Sequence, residues 1–231
     1  MSRDMRRRTA EATRALAVAG HSDMIWGHLA LRDPDGRGVW MKASGWGLEE
    51  VDEARVLLVG WDGEVLDGDG RRHIEYHIHT EIMRRRPDVG ASVHTHPEDV
   101  NVFSSLDIPL LALSHDAVPF ADPQIPRFTV TGDLVRTAEL GALLAGDLGA
   151  QPACLMPKHG MVAVGVDEAF AVMHAALLSK ACRSAVQAHA AGGPRVFSDA
   201  AEISDKKLHA WPEAQIRAGY AYLLRRAAAL T

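Results

Sequence analysis

No apolar run in this chain approaches the roughly 18 residues needed to cross a bilayer, so no membrane partner is expected. Cysteine is scarce. Cys154 and Cys182 sit in the apolar contexts PACLMP and LLSKACRSAV, and they read as buried, inert thiols of a protein in a reducing cytoplasm. Positive charge is not in excess either: 25 Lys and Arg against 30 Asp and Glu leave a net charge of −5. With no long basic face, nucleic acid is not expected as a partner. The N-terminal MSRDMRRR is basic, but no apolar stretch follows it, so it reads as a solvated helix start and not as a targeting signal. A phosphate-cradling loop is missing too, since GWGLEE has neither the dinucleotide fingerprint nor the P-loop lysine. No repeat, low-complexity segment or long linker divides the chain. Its 231 residues, 47% of them hydrophobic, suffice for one sizeable core, so a single domain over 1–231 is expected.

The first half reads as antiparallel strands. HLALRD and VWMKASG flank an Asp35-Gly36 turn, and ARVLLVGWDGEVLDGDG repeats the form around Asp62-Gly63. Before them, residues 3–19 carry apolar positions at helical spacing, ended by Gly20. From Glu75 to Arg86 the period changes to that of an amphipathic helix, stopped at Pro87. GASVHTH predicts a strand, and Pro97–Ser105 a short helix. IPLLALSHDAVPF reads as a further strand, followed by a proline-containing loop over 119–126. A helix is expected from Thr131 or Gly132 to about Gly146. Strand pieces then flank Lys158-His159-Gly160, and Asp167 caps a long helix reaching Ala191. Past the Gly-Gly-Pro break at 192–194, one last helix is expected over about 205–229. This order predicts an α/β fold of the α+β type: a single mixed, largely antiparallel sheet covered by helices, not a doubly wound parallel sheet.

Twelve histidines are many for this length, and several fall between His73 and His96. In SVHTHPEDV, His94 and His96 are two apart, so on a strand they project from one face. Alone, such a pair is compatible with ordinary surface histidines or with two ligands of a divalent metal. His159, at a turn between strands beside Gly160, is a third candidate ligand. Glu75, at its helix N-terminus, is the candidate carboxylate, and His79 lies one turn on along the same face. His77 faces away from Glu75 and reads as a surface residue.

VHTHP after RRRPDV, the upstream MKASG and the later KHGMVAVGVDEAFAVMHAA together resemble the class II aldolase/adducin family, over about residues 5–185. The resemblance implies metal ligands at His94, His96 and His159, and an acid/base at Glu75. It implies a class II aldolase-like sheet with helices on both faces, and a homotetramer with sites between subunits. The expected cofactor is a divalent ion, zinc first, with manganese, iron or cobalt as alternatives.

The chain departs from the family's sugar-phosphate aldolases. Where those carry Gly-Asn, this sequence has Gly27-His28, and where they carry Ser-Ser before the acid it has His73-Ile74. Ser44-Gly45 is kept. The tyrosine proton donor of some members has no equivalent, and His115 is the expected substitute beside Ser114 and Asp116. His28, Lys42, Ser44, Gly45 and His73 are the expected substrate-binding residues, with Lys158 as a further cation and Trp26, Trp46 or Phe120 as ring platforms. The function implied is a metal-dependent lyase that decarboxylates a hydroxylated aromatic or related carboxylic acid. The alternatives are an aldolase on a small hydroxy-carbonyl or sugar phosphate, and a non-catalytic adducin-like module.

Overall fold

The Asp-Gly turns bring neighbouring strands together first. β1 (His28–Arg32) pairs with β2 (Gly38–Lys42), and β3 (Val56–Gly60) pairs with β2 and with β4 (Val65–Asp67). At the first turn the Asp33 carboxylate accepts hydrogen bonds from the Arg37 guanidinium and the Trp40 indole N–H. The computed structural model describes residues 2–229. It completes the sheet with β5 (Ala91–Thr95), β6 (Ala153–Met156) and β7 (Gly160–Gly165), in the order β4-β3-β2-β1-β5-β7-β6. Every strand pairing is antiparallel, as the succession of hairpins implies.

Side chains alternate between the two faces of this sheet, and each face is covered. One core joins Leu29, Leu31, Trp40, Val93 and Met161 to α1 (Ser2–Leu16), α3 (Glu98–Ser104), α6 (Glu168–Ala190) and α8 (Glu213–Ala228). The short helices α4 (Val118–Ala121) and α7 (Ala200–His209) extend it with Phe120 and Ile203. The other core joins Ala30, Met41, Val162 and Val164 to α2 (Tyr76–Arg85) and α5 (Ala138–Leu148). The helix-covered sheet expected from the sequence is thus observed. No helix among the described residues is long and apolar enough to cross a membrane. Both cysteines are free and buried, and burial pushes the Cys154 thiol up to about 12.

Three local expectations are corrected. Residues 108–118 form no strand; only Ala112 makes an isolated bridge, to Ser198. The Gln124 side chain bonds both the N–H and the C=O of Leu110, taking the place of a neighbouring strand. Helix α5 begins at Ala138, with Thr137 as its cap, several residues later than the sequence suggested. The final helix is two, broken around Ala210–Pro212, because proline cannot supply the helical N–H and disfavours helix in the residue before it.

Candidate metal centre and active site

β5 carries Ser92 and His94 on the α2 face of the sheet, and His96 continues just past the strand end. β1 pairs with β5 so that His28 lies directly opposite His94, with ring centroids 5.1 Å apart. The turn before β7 brings His159 to the same place, 4.9 Å from His94 and 5.5 Å from His96 between ring centroids. Lys158 takes a left-handed conformation in that turn (φ 68°). α2 aims its N-terminus here, with Glu75 at the cap position. Glu75 Oε1 lies 3.4 Å from His159 Nε2, and Oε2 lies 3.7 Å from His94 Nε2.

The ring tautomers follow from the partners. His94 Nδ1 is 2.9 Å from the Met161 carbonyl oxygen, which only accepts, so Nδ1 carries the proton. His96 Nδ1 is 3.0 Å from the Asp23 carboxylate, so the same holds there. Both Nε2 atoms are then lone pairs, yet they face each other at 3.1 Å. Two lone pairs cannot bond to one another, and a cation between them removes the conflict. His159 supports this: neither ring nitrogen has a hydrogen-bond partner among the described residues, although both are buried. One donor atom from each of His94, His96 and His159 lies within 4.8 Å of the others, and His28, Glu75 and His94 form an overlapping group. The residues therefore fit a divalent metal held by three neutral imidazoles, with a carboxylate alongside.

Electrostatics agree with a neutral His94 ring. Burial holds the His94 and His28 pKa values well below the usual imidazole range and lowers His79 to about 3. Burial also opposes ionisation of Glu75. Positive charge on the histidine side and the Val135 N–H at 2.7 Å outweigh it and hold the carboxyl at about 2; with the imidazoles neutral, a bound cation would supply that charge. Glu75 is thus a carboxylate at neutral pH.

Beside the cluster lies a cavity of about 360 Å³ lined by Trp26, His28, Ser44, Arg71, His73, Ile74, Glu75 and Leu134, among others. Of the expected substrate-binding residues, His28, Ser44 and His73 reach it. Gly45 holds the turn after Ser44 in a left-handed conformation (φ 97°). Lys42 does not reach it: the side chain is fully buried and donates to the Ile25 and Trp46 carbonyls at 2.9 and 2.6 Å. It ties two loops together, and burial lowers its pKa to about 8. His115 is also separated from the cluster within its own chain. It lines a hollow with Glu202, Asp205, Lys206 and His209. Trp46 is stacked under the Arg55 guanidinium at 4.0 Å, and Phe120 is core, so Trp26 alone remains as a ring platform. Lys158 is exposed and packs beside Gly132. His77 is half-buried against Tyr76.

Sequence reasoning missed Asp23, Arg71, and the Ser92–His79 contact of 2.8 Å. Ser92 was findable, because it shares the period-2 pattern of His94 and His96. Asp23 and Arg71 lie on loops, where spacing says nothing about neighbours.

A helix-covered antiparallel sheet with a histidine–carboxylate cluster at the end of β5 is the arrangement of one recognised class. The family described as class II aldolase and adducin N-terminal domain matches residues 7–186, and the chain belongs to it. A 3,4-dihydroxyphthalate decarboxylase of Arthrobacter keyseri is 30% identical over 218 residues, covering 85% of this chain and 84% of the relative. A 4-hydroxy-3-prenylphenylpyruvate oxygenase/4-hydroxy-3-prenylbenzoate synthase of Streptomyces roseochromogenus subsp. oscitans is 31% identical over 206 residues, covering 87% and 74%. Among solved structures, an L-fuculose 1-phosphate aldolase of Glaciozyma antarctica PI12 superposes with a TM-score of 0.85 at 25% identity, covering 99% and 90%.

Proposed function

We propose that this chain is a divalent-metal-dependent carbon–carbon lyase that decarboxylates a hydroxylated aromatic carboxylic acid, with zinc as the first candidate metal. The observation that carries the substrate class is the wall of the cavity. Trp26 and Ile74, each about half exposed (50% and 52%), line it together with Leu134. These surfaces suit the faces of a ring, and Arg71 and Arg72 on the same wall suit the acid's carboxylate. The named relatives that act on aromatic acids support the same choice.

His94, His96 and His159 would hold the cation, which would supply positive charge to stabilise an oxyanion on the substrate. Glu75, ionised and adjoining both the cluster and the cavity, takes the proton of the substrate's hydroxyl as the substrate binds. When the bond to the carboxylate breaks, carbon dioxide leaves and the electron pair stays on the ring. Glu75 returns its proton to the carbon that lost the carboxylate. Trp26, Ile74 and Leu134 hold the ring plane and keep water off that carbon. Within its own chain His115 has no part in this.

Aldol cleavage is the second reading, favoured by the retained Ser44-Gly45 turn beside the cavity. The deciding experiment incubates the zinc- or manganese-loaded protein with hydroxybenzoates, hydroxyphthalates and ketose phosphates. Release of carbon dioxide is expected; release of an aldehyde instead overturns the proposal. Glu75→Gln should abolish turnover while leaving metal affinity within a fewfold, and full activity would remove Glu75 from the mechanism. A homotetramer is part of the same proposal, with Met24 and Ile25, exposed on the loop next to Trp26, as surface to be covered. A non-catalytic module is disfavoured by a buried cluster whose lone pairs conflict without a cation.

A further inference from the structure

Three buried polar side chains, running from the cavity wall back into the sheet, take no part in the steps above. Ser92 on β5, His79 on α2 and His28 on β1 are each at most 2% exposed. Ser92 Oγ lies 2.8 Å from His79 Nδ1, and His79 Nε2 lies 2.6 Å from His28 Nδ1. Each contact holds one proton, and the hydroxyl at the far end decides its direction. Ser92 Oγ has no other hydrogen-bond partner among the described residues. If it accepted from His79, its own hydrogen would be buried without an acceptor, a disadvantage of about tenfold or more. Ser92 therefore donates to His79 Nδ1. His79 carries its proton on Nε2 and donates it to His28 Nδ1. His28 must then carry its proton on Nε2.

His28 lines the cavity together with Trp26 and Glu75, and its Nε2 has no partner among the described residues. One of its ring nitrogens lies within 4.8 Å of donor atoms of Glu75 and His94. A nitrogen that already bears hydrogen is a poor metal ligand but a good donor to an oxygen held nearby.

We propose that Ser92 and His79 are positioning residues that fix His28 as a neutral Nε2–H donor, and that His28 holds an acidic oxygen of the substrate beside the metal ligands. This rests on the reading of the site as one for hydroxylated aromatic acids, whose carboxylate and ionised hydroxyl oxygens are both acceptors. A carboxylate or an ionised hydroxyl accepts more strongly than a neutral hydroxyl, so the relay favours the anionic form of the substrate.

Two measurements on the zinc-loaded 231-residue chain test it. Nitrogen NMR of histidine-labelled protein reads which nitrogen of His28 bears hydrogen; the expected result is Nε2. Ser92→Ala should replace the single tautomer by a mixture, and Ser92→Thr, which keeps the hydroxyl, should restore it. A proton found on Nδ1 of His28 overturns the relay. Calorimetric binding of 2,3-dihydroxybenzoate is the second measurement. His28→Leu should weaken it by about tenfold or more with zinc affinity retained. Ser92→Ala should weaken it in the same direction, with Ser92→Thr close to wild type. Equal binding by wild type, His28→Leu and Ser92→Ala overturns the role of His28 alone. A wild-type protein that binds zinc but no hydroxybenzoate overturns the substrate class, and the role of His28 with it.

Discussion

Asp23 offers the sharpest test of the proposed metal centre, because it touches the cluster only through His96, a proposed ligand. Its carboxylate accepts the Nδ1 proton of His96 at 3.0 Å, and its backbone C=O caps the turn to Trp26. The bond sets the His96 tautomer and makes its Nε2 a better electron donor. Partners of this kind are worth about 10–100-fold in metal affinity. Asp23 has a side chain 32% exposed, so solvent screens its charge and the lower part of that range applies to charge alone. Asp23→Asn keeps an acceptor oxygen for the Nδ1 proton and loses only the charge, so about tenfold weaker zinc binding is expected, about 1.4 kcal/mol. Asp23→Ala loses the acceptor as well and frees the ring, so the loss should approach a hundredfold, about 2.7 kcal/mol. Chelator-competition titration of zinc measures both, with circular dichroism to verify folding. An Asp23→Ala protein that folds and binds zinc as tightly as wild type would refute the argument. So would an Asp23→Asn loss as large as that of His96→Ala, since the charge would then outweigh the ligand itself.

Chelation should lower the melting temperature. Zinc held at a hundredfold excess over its Kd stabilises by about 2.7 kcal/mol, or about 5–10 °C for a chain of this size; an equal drop in His94→Ala would point to another site. A methyl group on Gly160 would lie 2.4 Å from the Thr95 carbonyl oxygen and 2.7 Å from His96 Cδ2. Gly160→Ala should therefore cost about 1–3 kcal/mol of stability in urea titration and also weaken zinc binding; a loss of neither would contradict the close strand approach. Asp33 gives a pH signature. Burial raises its pKa, but the hydrogen bonds from Arg37 and Trp40 outweigh burial and leave it lowered. A depressed carboxyl stabilises the fold above its unfolded pKa, and the benefit fades as pH falls through the folded value. The urea midpoint of wild type should therefore fall more than that of Asp33→Asn between about pH 5 and about pH 3, and parallel curves would refute the assignment.

The fold was most legible where a periodic pattern met a turn signal. The two Asp-Gly hairpins, the Glu75–Arg86 helix and the capped helix after Asp167 carry both, and all were found near their expected bounds. Failures came where side chains replaced backbone partners. Residues 108–113 have the composition of a strand, but Gln124 satisfies Leu110 and no neighbouring strand is left to pair with. Residues 131–137 fit a helix, but the Val135 N–H is bonded to Glu75, so the helix starts only after that contact is made. Local propensity lost in both places to a long-range hydrogen bond, which a sequence window cannot contain.

The site divides the same way. His94 and His96 were visible because a strand's period of two is intrinsic to the backbone. Glu75 and His79 were visible because a helix repeats every 3.6 residues. What no window could reveal was register: that β1 slides so that His28 lies opposite His94 and not one residue off. A slip of one would turn His28 to the other face of the sheet and put Leu29 beside the cluster. That register is pinned by Leu29 and Leu31 in one core and Ala30 in the other. Ordinary apolar packing thus delivers the buried ring to the cavity. Both ring nitrogens of His159 are buried without a hydrogen-bond partner among the described residues, a cost that the proposed cation would offset.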